Sequence, residues 1–416
     1  MRVFIMAHKY TTTRTDVIMT PMIKYSIVIP TFNHCDDLLK PCLESIIKYT
    51  DLSNVEVIVV ANGCTDGTKE YVESLGQPFR LFWIDEACGY THATNVGAIV
   101  AGGDCVILLN NDTLLLEQPK NRWIELLEAP FEDPSVGLAG PLQLFDNYSN
   151  AQVLIFFCVM IKREVFDKIG YLDEIFSPGG GEDIDFTIRA RQAGYESRVL
   201  EPTNYNGSTN VGTFPIWHKD NQTFKNIPEY TNWIVKRNGL INCKRYNKNI
   251  KLNLGAGGIE YPGYLSVDLL DKRAHILMDI TKLDFDENSV TELLASHVFE
   301  HVNPYHVWDM LASWFKVLKP GGRLIMEMPN IEELCLRFGL ATKAQRYGIL
   351  NAIYGSVNTT NVGGQDEITS PHLFGWWPEA LYDHLGGVGF RDIQFMPEQI
   401  PHPESNLRVE CVKPNA

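Results

Sequence analysis

The chain has 416 residues and a mass of 47.1 kDa, enough for two or three domains at about 100–200 residues each. With 45% apolar and 21% charged residues, its composition is that of a globular protein, not a disordered one. Its 51 acidic against 36 basic side chains leave a formal charge of -15, which repels phosphate backbones and argues against nucleic acid as a partner and against a broad polybasic membrane face.

Residues 1–22 receive no assignment; Met1–Ala7 is short for a secretory core, and polar Thr11–Thr15 follows it. Tyr25–Pro30 reads as a strand. Asp36–Tyr49 reads as a helix with Leu38, Leu39, Leu43, Ile46 and Ile47 on one face. Val55–Val60 is the next predicted strand, Thr68–Leu75 a helix, Phe79–Ile84 a strand, His92–Ala101 a helix and Cys105–Leu109 a strand. This alternation predicts a βαβαβ nucleotide-binding half, with ligands beyond the carboxyl ends of the strands. Asn221–Asn249 is polar, rich in Asn and Lys, and receives no element. A boundary near 245–249 divides the chain into domains 23–246 and 247–416. A second strand-first series follows, with strands Lys251–Leu254, Tyr264–Val267 and Leu324–Met328. A long insertion over 331–370 contains helical Ile331–Leu340 and Tyr347–Tyr354, and a helix Pro378–Leu385 comes after it. Both halves are α/β. The nine cysteines are scattered and form no C-x-x-C pair, which predicts free thiols and a reducing compartment. No run approaches the roughly 18–20 apolar residues of a membrane span.

The polar residues after the first strands are Thr31 and Asn33, then Asn62, then Asn110, Asn111 and Asp112. A carboxylate just past a buried strand suits a hard divalent cation held against a diphosphate; the same stretch also suits a plain turn. Glu182, Asp183 and Asp185 follow Gly179–Gly181 and open an amphipathic helix through Arg191. Acids there serve as a catalytic base or as caps that complement the helix dipole. His218, in Trp217-His-Lys-Asp220, is a ligand or structural.

The blocks SIVIPTFN, VEVIVVANGCTDGT, ATNVGAIVAGGDCVILLNNDT, FFCVMIKREVFDKIGYLDEIFSPGGGEDIDF and IRARQAGY occur in this order. Over about 24–220 the chain resembles family-2 glycosyltransferases with a GT-A fold, among them bacterial polysaccharide and rhamnosyltransferase-like enzymes. The resemblance implies a nucleotide-sugar donor bordered by Pro30, Thr31, Asn33, Asn62, Asn110 and Asn111. It implies Asp112 as the metal carboxylate of the DxD element, for Mn²⁺ or Mg²⁺, with His218 as a further metal or diphosphate contact. Asp183 is implied as the catalytic base, with Glu182 and Asp185 as alternatives, and Asp66 as a brace of its loop. Asn110 stands where many relatives have Asp, implying a one-carboxylate site. Ala61 stands where relatives have the Asp that contacts uracil, so dTDP-, UDP- and GDP-linked donors all remain open.

Gly255-Ala256-Gly257-Gly258 follows the strand Lys251–Leu254, and Asp268 follows the next strand. Glycine lets the backbone approach a ligand, and such an acid can hold ribose hydroxyls. Asp279, the stretch LASHVFEH with His297, Glu300 and His301, and LKPGGRL over 318–324 complete an ordered set. Over about 250–416 that set resembles class I S-adenosylmethionine-dependent methyltransferases. The resemblance implies that Gly255, Ala256 and Gly257 cradle the methionine end of S-adenosylmethionine, that Asp268 holds its ribose, that Asp279 lies near adenine and that His297 lines the cofactor wall. Glu300 and His301 face the cofactor or acceptor, or cap a helix. His372 takes a proton from an acceptor hydroxyl or orders a lid, and His384 is read as surface. Only 258–263 separates the glycine turn from the next strand, so the first crossover helix is expected to shrink to about one turn.

The expected protein is a GT-A nucleotide-sugar-binding domain followed by a Rossmann-like class I methyltransferase domain. It is expected to be cytoplasmic, with a peripheral membrane contact left open and no integral membrane segment. It would transfer a sugar, with inversion, from a nucleotide-diphosphate donor to a glycan or lipid-linked glycan, and O-methylate a sugar. The alternative is a lapsed transferase that holds a glycan for an active methyltransferase.

Overall fold

The computed structural model describes residues 23–200, 214–219, 228–355, 371–397 and 405–415; part of the insertion, 356–370, lies outside them. The chain forms two compact units that are not contiguous in sequence. The first takes residues up to Leu142, Leu154–Pro178 and Arg189–Asp220; the second takes Gln143–Val153, Gly179–Ile188 and the chain from Asn221 onward.

The first eleven strands are β1 (Tyr25–Thr31), β2 (Val55–Asn62), β3 (Phe79–Ile84), β4 (Cys105–Leu109), β5 (Thr113–Leu115), β6 (Val136–Gly140), β7 (Gln143–Asp146), β8 (Ala151–Leu154), β9 (Cys158–Lys162), β10 (Glu196–Val199) and β11 (Ile216–His218). The large sheet of the first unit has the order β10-β6-β9-β4-β1-β2-β3. Strands β1 to β4 run parallel, and β9 lies antiparallel between β4 and β6. Every residue of β1 and β2 is buried, as in a sheet covered on both faces. The helix Tyr90–Val100 packs on β1 and β2, and Gly97 permits the approach: a Cβ there would stand 2.3 Å from Val28 Cγ1. Strands β5 and β11 form a separate antiparallel pair, and β7 and β8 form a two-stranded sheet of their own.

The second unit holds β12 (Ile250–Leu254), β13 (Leu265–Asp268), β14 (Ile276–Leu277), β15 (Val290–Ser296), β16 (Leu318–Pro329), β17 (Arg391–Met396) and β18 (Asn406–Val412). Their order is β14-β13-β12-β15-β16-β18-β17, or 3-2-1-4-5-7-6 counted within the unit. β14 through β16 are mutually parallel, and β18 is antiparallel to both its neighbours. The core around this sheet includes fully buried Phe299, Trp314 and Trp376. The architecture is therefore two α/β sheets, a GT-A-like one and a Rossmann-like methyltransferase one.

Three local expectations change. The polar stretch with no predicted element contains a 19-residue helix, Pro228–Tyr246. Asn238 and Asn242 are buried, so its composition resembles a solvated segment while their environment does not. The crossover from β12 to β13 contains turns and no helix. The strand expected over Leu324–Met328 is longer: β16 already starts at Leu318, within the LKPGGRL block, and its pairing with β15 shifts register between Val290 and Glu292. All nine cysteines carry free thiols. Among the described residues, no helix is long and apolar enough to cross a membrane.

Candidate functional sites

Only Asn110–Asp112 separates β4 from β5. β5 pairs with β11 so that His218 stands opposite Thr113, and the Lys219 amide donates to the Asp112 carbonyl at 3.0 Å. This ladder brings His218 Nε2 to 3.1 Å from Asp112 Oδ1. Phe157 stacks on the imidazole, with ring centroids 4.4 Å apart and planes 11° apart, which holds the ring's orientation. Asp112 Oδ1 and Asn110 Oδ1 are nevertheless buried without an aligned hydrogen-bond donor. Two buried oxygens in one short loop, plus an imidazole nitrogen, are a donor set that Mn²⁺ or Mg²⁺ accepts, so the residues fit the expected cation.

The neighbouring loops share this carboxyl edge. Asn111 Nδ2 donates to Thr31 Oγ1 at 2.8 Å. Asn33, in the left-handed region at φ 54°, accepts the Thr65 amide at 2.7 Å. Asn62 Oδ1 accepts the Cys88 amide at 2.8 Å. Pro30 is buried within β1, opposite Val60. Asp66 accepts the Cys35 amide at 2.8 Å and the Thr68 hydroxyl at 2.6 Å, which braces its loop. Burial pushes its carboxyl up, but the bonds from Thr68 and Cys35 outweigh it and hold the pKa below the usual range.

The three acids of the helix Glu182–Gln192 lie in the second unit and have distinct environments. Gly179–Gly181 all have positive φ, and their carbonyls are held from the helix Pro228–Tyr246. Asn238 Nδ2 donates to Gly180 at 2.5 Å, and Asn242 Nδ2 to Gly181 at 3.1 Å. The two asparagines are four apart, hence on one helix face, and both are buried. Asp185 is fully buried and receives Arg245 Nη1 at 2.9 Å and the Tyr246 hydroxyl. It is the charge partner of Arg245. Glu182 is buried, and its Oε2 has no aligned donor. Burial, reinforced by Asp183, raises its pKa to about 8. This environment disfavours the ionised form of Glu182 relative to an ordinary carboxylate. Asp183 is half-buried, with Oδ1 accepting the Ile184 amide at 2.8 Å.

The Glu182 environment has a consequence for stability. Folded protein keeps the Glu182 proton up to about pH 8, whereas unfolded chain releases it near 4.5. Native stability therefore falls as pH rises through that window. Glu182→Gln removes the fall, so the variant is expected to melt above wild type at pH 9 and level with it at pH 4. Equal pH slopes for both proteins in thermal melts would contradict this.

In the second unit, the turn after β12 and the acid after β13 are tied together. Asp268 Oδ2 accepts the Gly257 amide at 3.2 Å, and Oδ1 accepts the Leu270 and Asp271 amides at 2.8 and 3.0 Å. Gly255 and Ala256 donate their amides to the Val267 carbonyl. Gly255 has φ +61°, and a Cβ there would stand 2.6 Å from Val298 Cγ2. Above Gly257 a Cβ would meet nothing nearer than 4.0 Å. An open glycine turn joined to a half-exposed carboxylate fits the methionine and ribose ends of S-adenosylmethionine. Asp279 is exposed and accepts the Thr281 amide and hydroxyl at 2.9 and 2.7 Å, bracing its own turn. His297, at φ 54°, has Nδ1 3.2 Å from Glu300 Oε1.

Glu300, His301 and His372 come together, with one ligand atom from each lying within 4.8 Å of the others. Burial lowers the pKa of His372, and Glu300 opposes that effect. His384, read as surface, is half-buried instead, with ring centroids 4.8 Å from Trp308 and 5.2 Å from Trp376. Sequence reasoning missed Phe157, Asn238, Asn242, Arg245 and Tyr246. Only the four-residue spacing of the asparagines carried a signal.

Residues 26–141 match the family model described as glycosyl transferase family 2, and residues 264–326 match the methyltransferase domain model. The chain thus carries a family-2 glycosyltransferase domain and a methyltransferase domain. It is 26% identical over 195 residues to the glycosyltransferase AglE of Haloferax volcanii, covering 41% of this chain and 62% of that protein. It is also 26% identical over 211 residues to the O-antigen biosynthesis protein RfbC of Myxococcus xanthus, covering 41% of this chain and 16% of that one. The chain therefore spans less than two thirds of these relatives. Among solved structures it is similar to the mannosyltransferase PcManGT from Pyrobaculum calidifontis in complex with GDP-Man and Mn²⁺. That match has 22% identity and a TM-score of 0.36 over 43% of this chain and 55% of that one.

Proposed function

We propose that the glycosyltransferase domain, assigned to 23–246, transfers a sugar with inversion from a nucleotide-diphosphate donor to a glycan hydroxyl. We assign O-methylation of a sugar to the domain 247–416. The observation that carries the first assignment is the buried Asp112 oxygen, 3.1 Å from His218 Nε2 and lacking an aligned donor. A carboxylate kept in that state is costly unless a cation completes it. The names of the two relatives support a glycan-building role.

Asp112 and His218 would hold Mn²⁺ or Mg²⁺, which neutralises negative charge on a departing diphosphate. Thr31, Asn33 and Asn62 border the donor through loops their side chains stiffen. Asp183 accepts the acceptor hydroxyl's proton. In the methyltransferase domain, Gly257 and Asp268 orient S-adenosylmethionine, which supplies an electrophilic methyl group. The Glu300, His301 and His372 cluster manages the acceptor hydroxyl.

The test offers the full chain dTDP-, UDP- and GDP-sugars with Mn²⁺ and a glycan acceptor, then S-adenosylmethionine, and reads product mass. One added glycosyl unit followed by one methyl is expected. His218→Ala should weaken the Mn²⁺ requirement's half-saturation by about 10-fold or more. Because fusion raises the local concentration of the intermediate, the glycosylated product should be the better methyl acceptor. Equal methylation of both acceptors overturns the coupling. Methylation without any donor turnover favours the lapsed-transferase alternative.

A further inference from the structure

Glu300 is a buried carboxylate faced by imidazoles, and His297 Nδ1 stands 3.2 Å from its Oε1. It is 2% exposed, and neither carboxylate oxygen has an aligned hydrogen-bond donor among the described residues. An unpaired buried carboxylate is expensive, and proteins normally satisfy one with a hydrogen bond, a counter-charge or a metal. Around it stand imidazoles. His372 Nε2 lies 4.0 Å from Glu300 Oε1, and the His301 and His372 rings meet edge to face with centroids 4.9 Å apart. We propose that Glu300, His301 and His372 form a divalent transition-metal site in the methyltransferase domain, separate from the Asp112–His218 pair.

Three features support it. The ligand atoms lie within 4.8 Å of one another, and ligands about 2.0–2.2 Å from one ion sit roughly 3.3–3.6 Å apart in a tetrahedral shell. The cluster therefore has to contract by about 1 Å, within reach of side-chain rotation. The rings are held from behind: His301 Nδ1 lies 3.1 Å from the Pro371 carbonyl, which selects the Nδ1–H tautomer and leaves Nε2 with its lone pair. The backbone then locks the geometry, since the Leu373 amide donates to the Glu300 carbonyl at 2.7 Å and the His372 amide to Tyr354 at 3.1 Å. Two imidazoles and one carboxylate favour Zn²⁺, Co²⁺ or Mn²⁺ over Mg²⁺, and three protein ligands leave positions open for oxygen.

Those open positions suit the hydroxyls of the methyl acceptor, a role that rests on the methyltransferase reading above. Glu300 follows β15, the strand beside β12, so the cluster sits at the carboxyl edge that also bears the glycine turn. Bound to the cation, an acceptor hydroxyl releases its proton to solvent more readily. Its oxygen lone pair forms the new bond to the methyl carbon, and the sulfur–carbon bond breaks with its electron pair going to sulfur.

The experiment uses the full chain carrying Asp112→Ala, so that the other candidate cation site is silent, stripped by chelator and titrated with Co²⁺. Saturable visible absorption with one equivalent of Co²⁺, displaced by Zn²⁺, is expected. Adding Glu300→Gln or His372→Gln should weaken uptake by about 100-fold or more. Binding of S-adenosylhomocysteine, measured by calorimetry, reports that each variant is folded, and His301→Gln replaces any that is not. No saturable uptake in the Asp112→Ala protein, or unchanged uptake after His372→Gln, overturns the proposal. Failure of wild type to bind S-adenosylhomocysteine would instead overturn the methyltransferase reading, leaving the cation result to stand alone.

Discussion

Asp183→Asn is expected to lower sugar transfer by about 10²–10⁴-fold, the usual contribution of a positioned base, with little change in donor KM. Glu182→Gln, one residue away, should cost far less at pH 7, because Glu182 is held neutral by burial with a pKa of about 8. Asp185→Asn should act mainly on stability, because that acid is fully buried and bound by Arg245 and Tyr246. Single-turnover transfer with the cognate donor, paired with thermal melts of each variant, separates these outcomes. A Glu182→Gln loss as deep as that of Asp183→Asn at pH 7 would make Glu182 the base and refute the assignment.

The second large effect is on stability. In the antiparallel register of β16 and β18, Glu327 stands opposite Arg408. Both are nearly fully buried, with Arg408 Nη1 3.3 Å from Glu327 Oε2 and Nη2 2.7 Å from Glu410 Oε1. Arg408→Ala leaves a buried carboxylate uncompensated, at a cost of about 3–5 kcal/mol. The melting transition that S-adenosylhomocysteine raises should fall accordingly. Glu327→Leu combined with Arg408→Met should recover most of the loss, since apolar isosteres of a buried pair are often neutral. A single Arg408→Ala variant that melts like wild type would contradict this account.

Much of the first sheet was legible as local pattern. Thr68–Leu75, Phe79–Ile84 and Cys105–Leu109 were expected with the bounds they have, because apolar periodicity and turn residues are properties of short windows. The helix Pro228–Tyr246 was not legible, because buried asparagines stand on it among its few buried apolar residues. A sequence window does not distinguish an asparagine facing water from one filling a glycine run's carbonyls some sixty residues away. The site showed the same division: Asp112 and His218 were each marked, but Phe157, which orients the imidazole, had no signal before β9 was placed.

The sequence by itself determined the two α/β series, the order of their motifs and the residue types available for cation, sugar and methyl-donor chemistry. Tertiary structure alone decided that, of three neighbouring acids, Glu182 and Asp185 are buried and Asp183 half-buried, and that Asp185 is bound by Arg245 and Tyr246. It also decided that His372, from a distant segment, stands beside the buried Glu300 and its sequence neighbour His301. Secondary structure follows from the spacing of residues a few positions apart, whereas burial and charge pairing are set by residues brought together from across the chain.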